Sequence, residues 1–169
     1  KHGFVAETIG PILSGDERVS ASRIRNLLAE GAIHEANALL GRPFTLVGTV
    51  VHGEQRGREL LVPTANLAPE NQFLPARGVY FTRTTWEFGE ALGLTNIGVR
   101  PTFGYEQTTI ETYLPGFKGD LYGQRIRLEL HERHREERKF PDPKALKEQI
   151  EADIQSFEAW RREWNRERA

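Results

Sequence analysis

Hydrophobic and polar positions change their period twice along the chain. Residues 4–13, FVAETIGPIL, are a short apolar stretch ended by Pro11 and the turn cluster SGDE, and they predict a strand. SASRIRNLLAEG follows, with Ser20 or Ser22 placed to cap a helix that turns Ile24, Leu27 and Leu28 inward and stops at Gly31. A second short helix is predicted over Ile33 to Leu40, ended by Gly41. One strand and two short helices cannot enclose a core, so this region must lean on the rest of the chain or on further sequence.

From Arg42 the pattern becomes that of strands. FTLVGTVVH at residues 44–52 is rich in β-branched residues and runs into the glycine-bearing turn GEQRG. Further strands are predicted over Leu60 to Leu67, interrupted by Pro63, and over Val79 to Trp86, Ala91 to Val99, Thr108 to Leu114 and Arg125 to His131. In the last, Ile126, Leu128 and Leu130 share one face and Arg127, Glu129 and His131 the other. Six short strands with Gly and Pro between them favour a closed or nearly closed antiparallel barrel. The C-terminal stretch then takes up a helical period. Asp142 stands at an N-cap, Pro143 at the first helical position, and Leu146, Ile150, Ile154, Phe157 and Trp164 recur at helical steps. This long amphipathic helix is expected to cover part of the barrel, with its tryptophans in packing roles, and RREWNRERA to be a solvated, fraying tail.

Composition narrows the chemistry. The 169 residues carry a net charge of −1, so there is no global basic field to hold nucleic acid, and any bound anion needs a local site. Cys is absent, which excludes disulfides, thiolate ligands and cysteine nucleophiles. No apolar run is long enough to cross a bilayer and the start lacks the order of a signal peptide, so a cytoplasmic protein with no membrane partner is expected. Met is absent even at position 1, as in a piece of a longer product.

Three stretches could carry chemistry. In VVHGEQRGRELLVPTAN, Gly53 and Gly57 leave backbone N–H groups open to an anion, and Arg56 and Arg58 can add bidentate phosphate contacts. No Gly-Lys-Ser/Thr follows, so this is not a Walker A loop, and a plain hairpin turn is the competing reading. Thr64 and Asn66 of PTAN project to one side at period two, offering a hydroxyl and an amide oxygen. Two neutral oxygens suit a Mg²⁺ that arrives on nucleotide phosphates; turn residues bonding their own backbone are the alternative. In TIETYL, alternation sets Ile110, Thr112 and Leu114 against Thr109, Glu111 and Tyr113, so Glu111 can face a groove and accept a proton from an attacking hydroxyl, or be a plain surface charge. The histidines at 2, 34, 52, 131 and 134 have no metal-ligand spacing.

Taken in order, LLGRPF, GTVVHG, RGRELLVPTANL, GVY, NIGVRPTF, IETYL, GDLYG and REERKF resemble the riboflavin kinase family from about Leu39 to Trp160, in particular the C-terminal kinase domain of bacterial bifunctional riboflavin kinase/FAD synthetases. The resemblance implies a six-stranded antiparallel Greek-key β-barrel with a long C-terminal helix at 41–169, after a short αβ appendage at 1–40. It implies ATP and riboflavin as substrates, with Mg²⁺. Glu111 becomes the catalytic base, Thr64 and Asn66 hold Mg²⁺ and phosphate, Gly53, Arg58 and Tyr122 contact nucleotide, and Arg135, Arg138 and Phe140 contact flavin. The chain departs from the family at Leu61, where Gly is usual, at Arg58, where some relatives have Lys, and at His134, where Leu is more usual. VSASRIR resembles a segment near the end of the adenylyltransferase domain, whose earlier HxGH-type motif is absent, so FAD synthetase activity is not expected of this polypeptide and its partner domain would lie upstream. The competing readings are a non-catalytic flavin- or nucleotide-binding regulatory barrel and, more weakly, a nucleic-acid-binding barrel.

Overall fold

The computed structural model describes Gly3, Val5, Glu7 and residues 10–53, 63–102 and 105–168. Its elements are β1 (Leu13–Ser14), β2 (Glu17–Arg18), α1 (Ala21–Glu30), α2 (Ile33–Leu40), β3 (Phe44–Val51), β4 (Thr64–Pro69), β5 (Gly78–Trp86), β6 (Gly89–Thr102), β7 (Tyr105–Tyr113), β8 (Arg125–Glu136) and α3 (Pro143–Arg166).

Strands β3 to β8 close into an antiparallel barrel in the order β3-β4-β7-β6-β5-β8. The β4–β7 and β5–β8 neighbours are not consecutive in sequence, which is the crossing of Greek-key connections. Alternation decides what fills the barrel. Leu46, Val50, Tyr80, Ile97, Ile110, Leu114, Ile126, Leu128 and Leu130 are buried inside it, as the pattern in TIETYL and RIRLEL requires. Buried threonines share the interior, and Thr95 exchanges hydrogen bonds with Thr82 and with Thr112, 2.9 Å each, so their hydroxyls satisfy one another. Tyr80 is fully buried, its hydroxyl donates to the Ala76 carbonyl, and burial pushes its pKa up to about 12.

The two short helices plug one barrel opening. Ser20 caps α1 by accepting from the Arg23 N–H, and Gly31 ends it at φ 82°. Leu28, Ile33 and Ala36 belong to the same hydrophobic cluster as the barrel interior. Asn37 fastens α2 by donating to the Leu130 carbonyl at 2.9 Å and accepting from the Phe44 N–H at 2.7 Å. The region therefore leans on the barrel.

Two expectations are corrected. Residues 10–12 are not in a strand, and the chain instead makes a small hairpin, β1 with β2, turning at Gly15. The apolar stretch finds no sheet to bury against: Val5, Ile12 and Leu13 are exposed. The second correction is at the C-terminus, where α3 stays helical to Arg166 because Trp164 packs on His131 and Arg168 lies over the Trp164 ring, instead of fraying from residue 161. Helix α3 starts as the sequence predicts, with Asp142 accepting from the Ala145 N–H, and seats Phe157, Ile154 and Trp160 on the outer face of β5 and β6 at Val79, Phe81 and Leu94. Among the described residues, no helix is long and apolar enough to cross a membrane.

Candidate active site

Because the barrel is antiparallel and its register is fixed, one row of residues crosses six strands. Val51 pairs with Asn66, Asn66 with Glu111, Glu111 with Asn96, Asn96 with Val79, and Val79 with Arg135. The neighbours of these residues, among them Val50, Leu67, Ile110, Thr112, Thr95, Ile97 and Tyr80, are buried inside, so the row lies on the outer face. Strands stand about 4.8 Å apart, which separates Glu111 from Arg135 by roughly 14 Å along the row.

At one end, Thr64 and Glu111 lie on adjacent strands, and the Thr64 hydroxyl donates to Glu111 Oε2 over a long 3.4 Å. Gly53 comes so close to Asn66 that a Cβ on it would lie 2.5 Å from Asn66 Nδ2, so a side chain at residue 53 would displace this amide. Two neutral oxygens beside a carboxylate suit a Mg²⁺ that is delivered with nucleotide phosphates. A resident metal has less to hold it, since the described residues contain no group of three or more His, Asp or Glu with metal-binding geometry.

Tyr122 joins this end from a distant part of the chain. Its loop is pinned by the Gly123 N–H donating to the Val50 carbonyl at 2.9 Å, and its own N–H donates to Asp120 Oδ1 at 2.8 Å. The Tyr122 ring stacks on His52, centroids 4.0 Å apart and planes 24° apart, and remains 42% exposed, so the pair offers an aromatic surface beside Gly53. Arg58 lies outside the described residues.

Arg135, Arg138 and Phe140 gather at the other end. The guanidinium carbons of Arg138 and Arg135 stand 5.0 and 5.9 Å from the Phe140 ring centroid. Arg135 is also held by Asp153 of α3, through Nε at 3.0 Å and Nη2 at 2.8 Å. A cavity of about 580 Å³ opens next to this segment, lined in part by Phe73, Arg77, Arg133, Glu136 and Glu137; Thr64, Asn66 and Glu111 do not line it. Of the nine predicted residues, the eight described ones fall into two groups, around Asn66 and Glu111 and around Arg135, which are themselves members of the row.

Sequence reasoning missed four residues here. Asn96 sits beside Glu111 in the row. Glu137 Oε1 accepts from the Val99 N–H at 3.0 Å and fills the space above Gly98. His52 has no metal-ligand spacing, and its stacking partner lies 70 residues away in sequence. Asp153 lies in a helix that the sequence marks by its apolar positions. The alternation that exposed Glu111 could equally have exposed Asn96, two residues before Gly98 in a predicted strand.

Comparison with known proteins identifies the family. The Flavokinase (riboflavin kinase) family profile matches residues 40–161. The bifunctional riboflavin kinase/FMN adenylyltransferase of Pseudomonas fluorescens is 38% identical over 158 residues, covering 93% of this chain and 51% of that protein. Its counterpart in Bacillus subtilis is 42% identical over 144 residues, covering 83% of this chain and 46% of that one. The chain therefore spans about half the length of the curated relatives it matches. A crystal structure described as a macrolide-efflux protein from Streptococcus pneumoniae superposes with a TM-score of 0.82 at 31% identity, over 90% of this chain and 50% of that one. The profile match over most of the chain and the identity to these relatives show that this chain belongs to the riboflavin kinase family.

Proposed function

We propose that this chain transfers the γ-phosphoryl group of ATP to the ribityl 5′-hydroxyl of riboflavin, giving FMN and ADP. The observation that carries the reading is the position of Glu111, a carboxylate on the outer row, between Asn66 and Asn96 and within reach of the Thr64 hydroxyl. Glu111 takes the proton of the 5′-hydroxyl as that oxygen attacks phosphorus in line, and the bond from the γ-phosphorus to the β–γ bridging oxygen breaks, so that ADP leaves with its electron pair. Thr64 and Asn66 hold the phosphates and, through their neutral oxygens, the Mg²⁺ bound to them; that ion supplies charge neutralisation at the phosphates. Gly53 lets the backbone come close, and Tyr122 with His52 offers a stacking surface to the nucleobase. Arg135, Arg138 and Phe140 hold the flavin end.

The relatives' names also include FMN adenylyltransferase. We assign that second activity to the upstream half of a parent protein, since no HxGH-type motif occurs in these residues. We take the reaction to be cytoplasmic, where ATP is supplied.

The deciding experiment incubates the chain with MgATP and riboflavin and separates the products by chromatography. FMN and ADP in equal amounts are expected, and no FAD. Riboflavin binding without FMN would replace the kinase by a non-catalytic flavin-binding barrel.

A further inference from the structure

Strand β8 carries one residue too many against β5 at two points. Val79 pairs with Arg135 and Tyr80 with Arg133, leaving His134 over; Phe81 pairs with Glu132 and Thr82 with Leu130, leaving His131 over. Such a bulge breaks the alternation of faces and re-aims side chains. At the first bulge, His134 and Arg135, which strict alternation would send to opposite faces, meet the same carboxylate on α3. Arg135 donates to Asp153 through Nε, 3.0 and 3.1 Å from the two oxygens, and through Nη2 at 2.8 Å. His134 Nε2 lies 3.3 Å from Asp153 Oδ1, and Gln149, one helical turn earlier, donates to the same oxygen at 2.6 Å. The His134 ring is itself stacked on Phe81, with centroids 4.8 Å apart.

Asp153 is 4% exposed. Removing a carboxylate and a guanidinium from water is costly, and well-packed apolar residues of similar volume would often hold a helix as well or better. Helix α3 already has such residues: Phe157, Ile154 and Trp160 on Val79, Phe81 and Leu94. Adhesion of the helix does not by itself account for a buried charge here. Orientation does. A guanidinium has five N–H donors. Asp153 engages the one on Nε and one on Nη2, and the Glu136 carbonyl accepts one from Nη1 at 2.9 Å. Two remain on a group that can no longer rotate, at the end of the row and over the Phe140 ring.

We propose that Asp153 is a positioning residue for the flavin end: it fixes the Arg135 guanidinium so that its two remaining N–H groups are presented to riboflavin in one orientation. Gln149 and the bulge residue His134 orient Asp153 in turn. This rests on the reading of Arg135 as a flavin contact.

The test uses Asp153→Asn, which keeps the size but loses the charge, beside Arg135→Ala and the double variant, with melting curves to establish folding. Steady-state kinetics with riboflavin and ATP varied separately, and riboflavin binding by fluorescence quenching, are the readouts. Asp153→Asn should raise the riboflavin KM about tenfold, with kcat and the ATP KM within about twofold, because it weakens binding of ground and transition states alike. Arg135→Ala should do the same, and the double variant no more, because one residue acts through the other. If Arg135→Ala leaves the riboflavin KM unchanged, the flavin reading fails and the proposal with it. If Arg135→Ala raises that KM and Asp153→Asn does not, the flavin reading stands and the positioning role alone is lost. Equal changes in both KM values for Asp153→Asn would make Asp153 a structural residue. Should Asp153→Asn fail to fold, Gln149→Leu removes one orienting donor and leaves the ion pair; a smaller rise confined to riboflavin supports the proposal, and an unchanged riboflavin KM overturns it.

Discussion

The two ends of the outer row are built by different means. Thr64, Asn66 and Glu111 are placed by strand register within a closed barrel, where each position follows from the pairing of its neighbours. Arg135 is placed by a side chain 18 residues further on, across a change from strand to helix. A barrel strand cannot slip by one residue without turning its buried face to water, so the reaction end inherits the rigidity of the whole core. The flavin end depends on a helix docked on that core and on one ion pair. On the proposed assignment, chemistry that tolerates little misplacement would sit on the rigid part and recognition on the attached part. Substitutions at the two ends should therefore separate into effects on kcat and effects on riboflavin KM.

The largest effect is expected at Glu111. Glu111→Gln keeps the size and the strand pairing but cannot take a proton, so turnover should fall by about 10²- to 10⁴-fold while riboflavin still binds. Steady-state FMN formation together with a riboflavin binding titration checks both halves. Near-normal turnover would remove the base and the distinction between the ends.

Loosening the helix sharpens the comparison from the other side. Phe157 is fully buried and meets Phe81 edge-on, with centroids 5.8 Å apart. Phe157→Ala should cost about 3–5 kcal/mol in urea unfolding. Hydrogen exchange should show α3 losing protection before β4, β6 and β7, with riboflavin affinity falling ahead of ATP affinity. Loss of protection in all of them together would mean that the two ends share one support.

A smaller effect is expected at Gly53. The added methyl of Gly53→Ala would lie 2.5 Å from Asn66 Nδ2, and the amide must move to relieve it. A shift of this kind should lower kcat/KM for ATP by about tenfold, with riboflavin binding unchanged. An unaltered ATP dependence would show that Asn66 does not act where it now stands.

Much of the reaction end is legible in the sequence, because it follows from a local rule. Alternation in TIETYL sends Ile110 and Thr112 inward and leaves Glu111 outside, and the same rule places Ile126, Leu128 and Leu130. The helix caps at Ser20 and Asp142 are local as well, since each side chain bonds an N–H three residues away. The flavin end is less legible. Nothing in HERHRE marks the bulges at His131 and His134, for neither Gly nor Pro is present, and the misfit arises only when β8 is laid against β5. Asp153 meets its partner on another element, as Tyr122 meets His52. Ile24, Leu27 and Leu28 read as the inward face of a helix in a small appendage, and only the closed barrel shows Leu28, with Ile33 and Ala36, to be its plug.

The smallest effect expected concerns the second bulge and the far end of α3. His131 packs against the edge of Trp164, with ring centroids 4.4 Å apart, and its Nε2 is buried without a hydrogen bond, 3.7 Å from Glu129 Oε2. Burial holds its pKa below the ordinary imidazole value of 6.5, with Arg168 and Arg83 acting in the same direction and Glu129 opposing them. The folded protein thus prefers the neutral ring. Its contribution is present above 6.5 and is lost as the pH falls through the depressed folded value, because the unfolded chain takes up the proton first. His131→Gln removes that titration, so the drop in melting temperature between about pH 7.5 and about pH 5.5 should be smaller in the variant than in the parent. Tryptophan fluorescence, which reports Trp160 and Trp164 beside the ring, should show the same contrast. Acid would then loosen the attached helix and spare the register that holds Glu111, so kcat for the His131→Gln protein should follow the parent's pH profile. Identical melting profiles for the two proteins would mean that His131 does not tie the helix to the barrel.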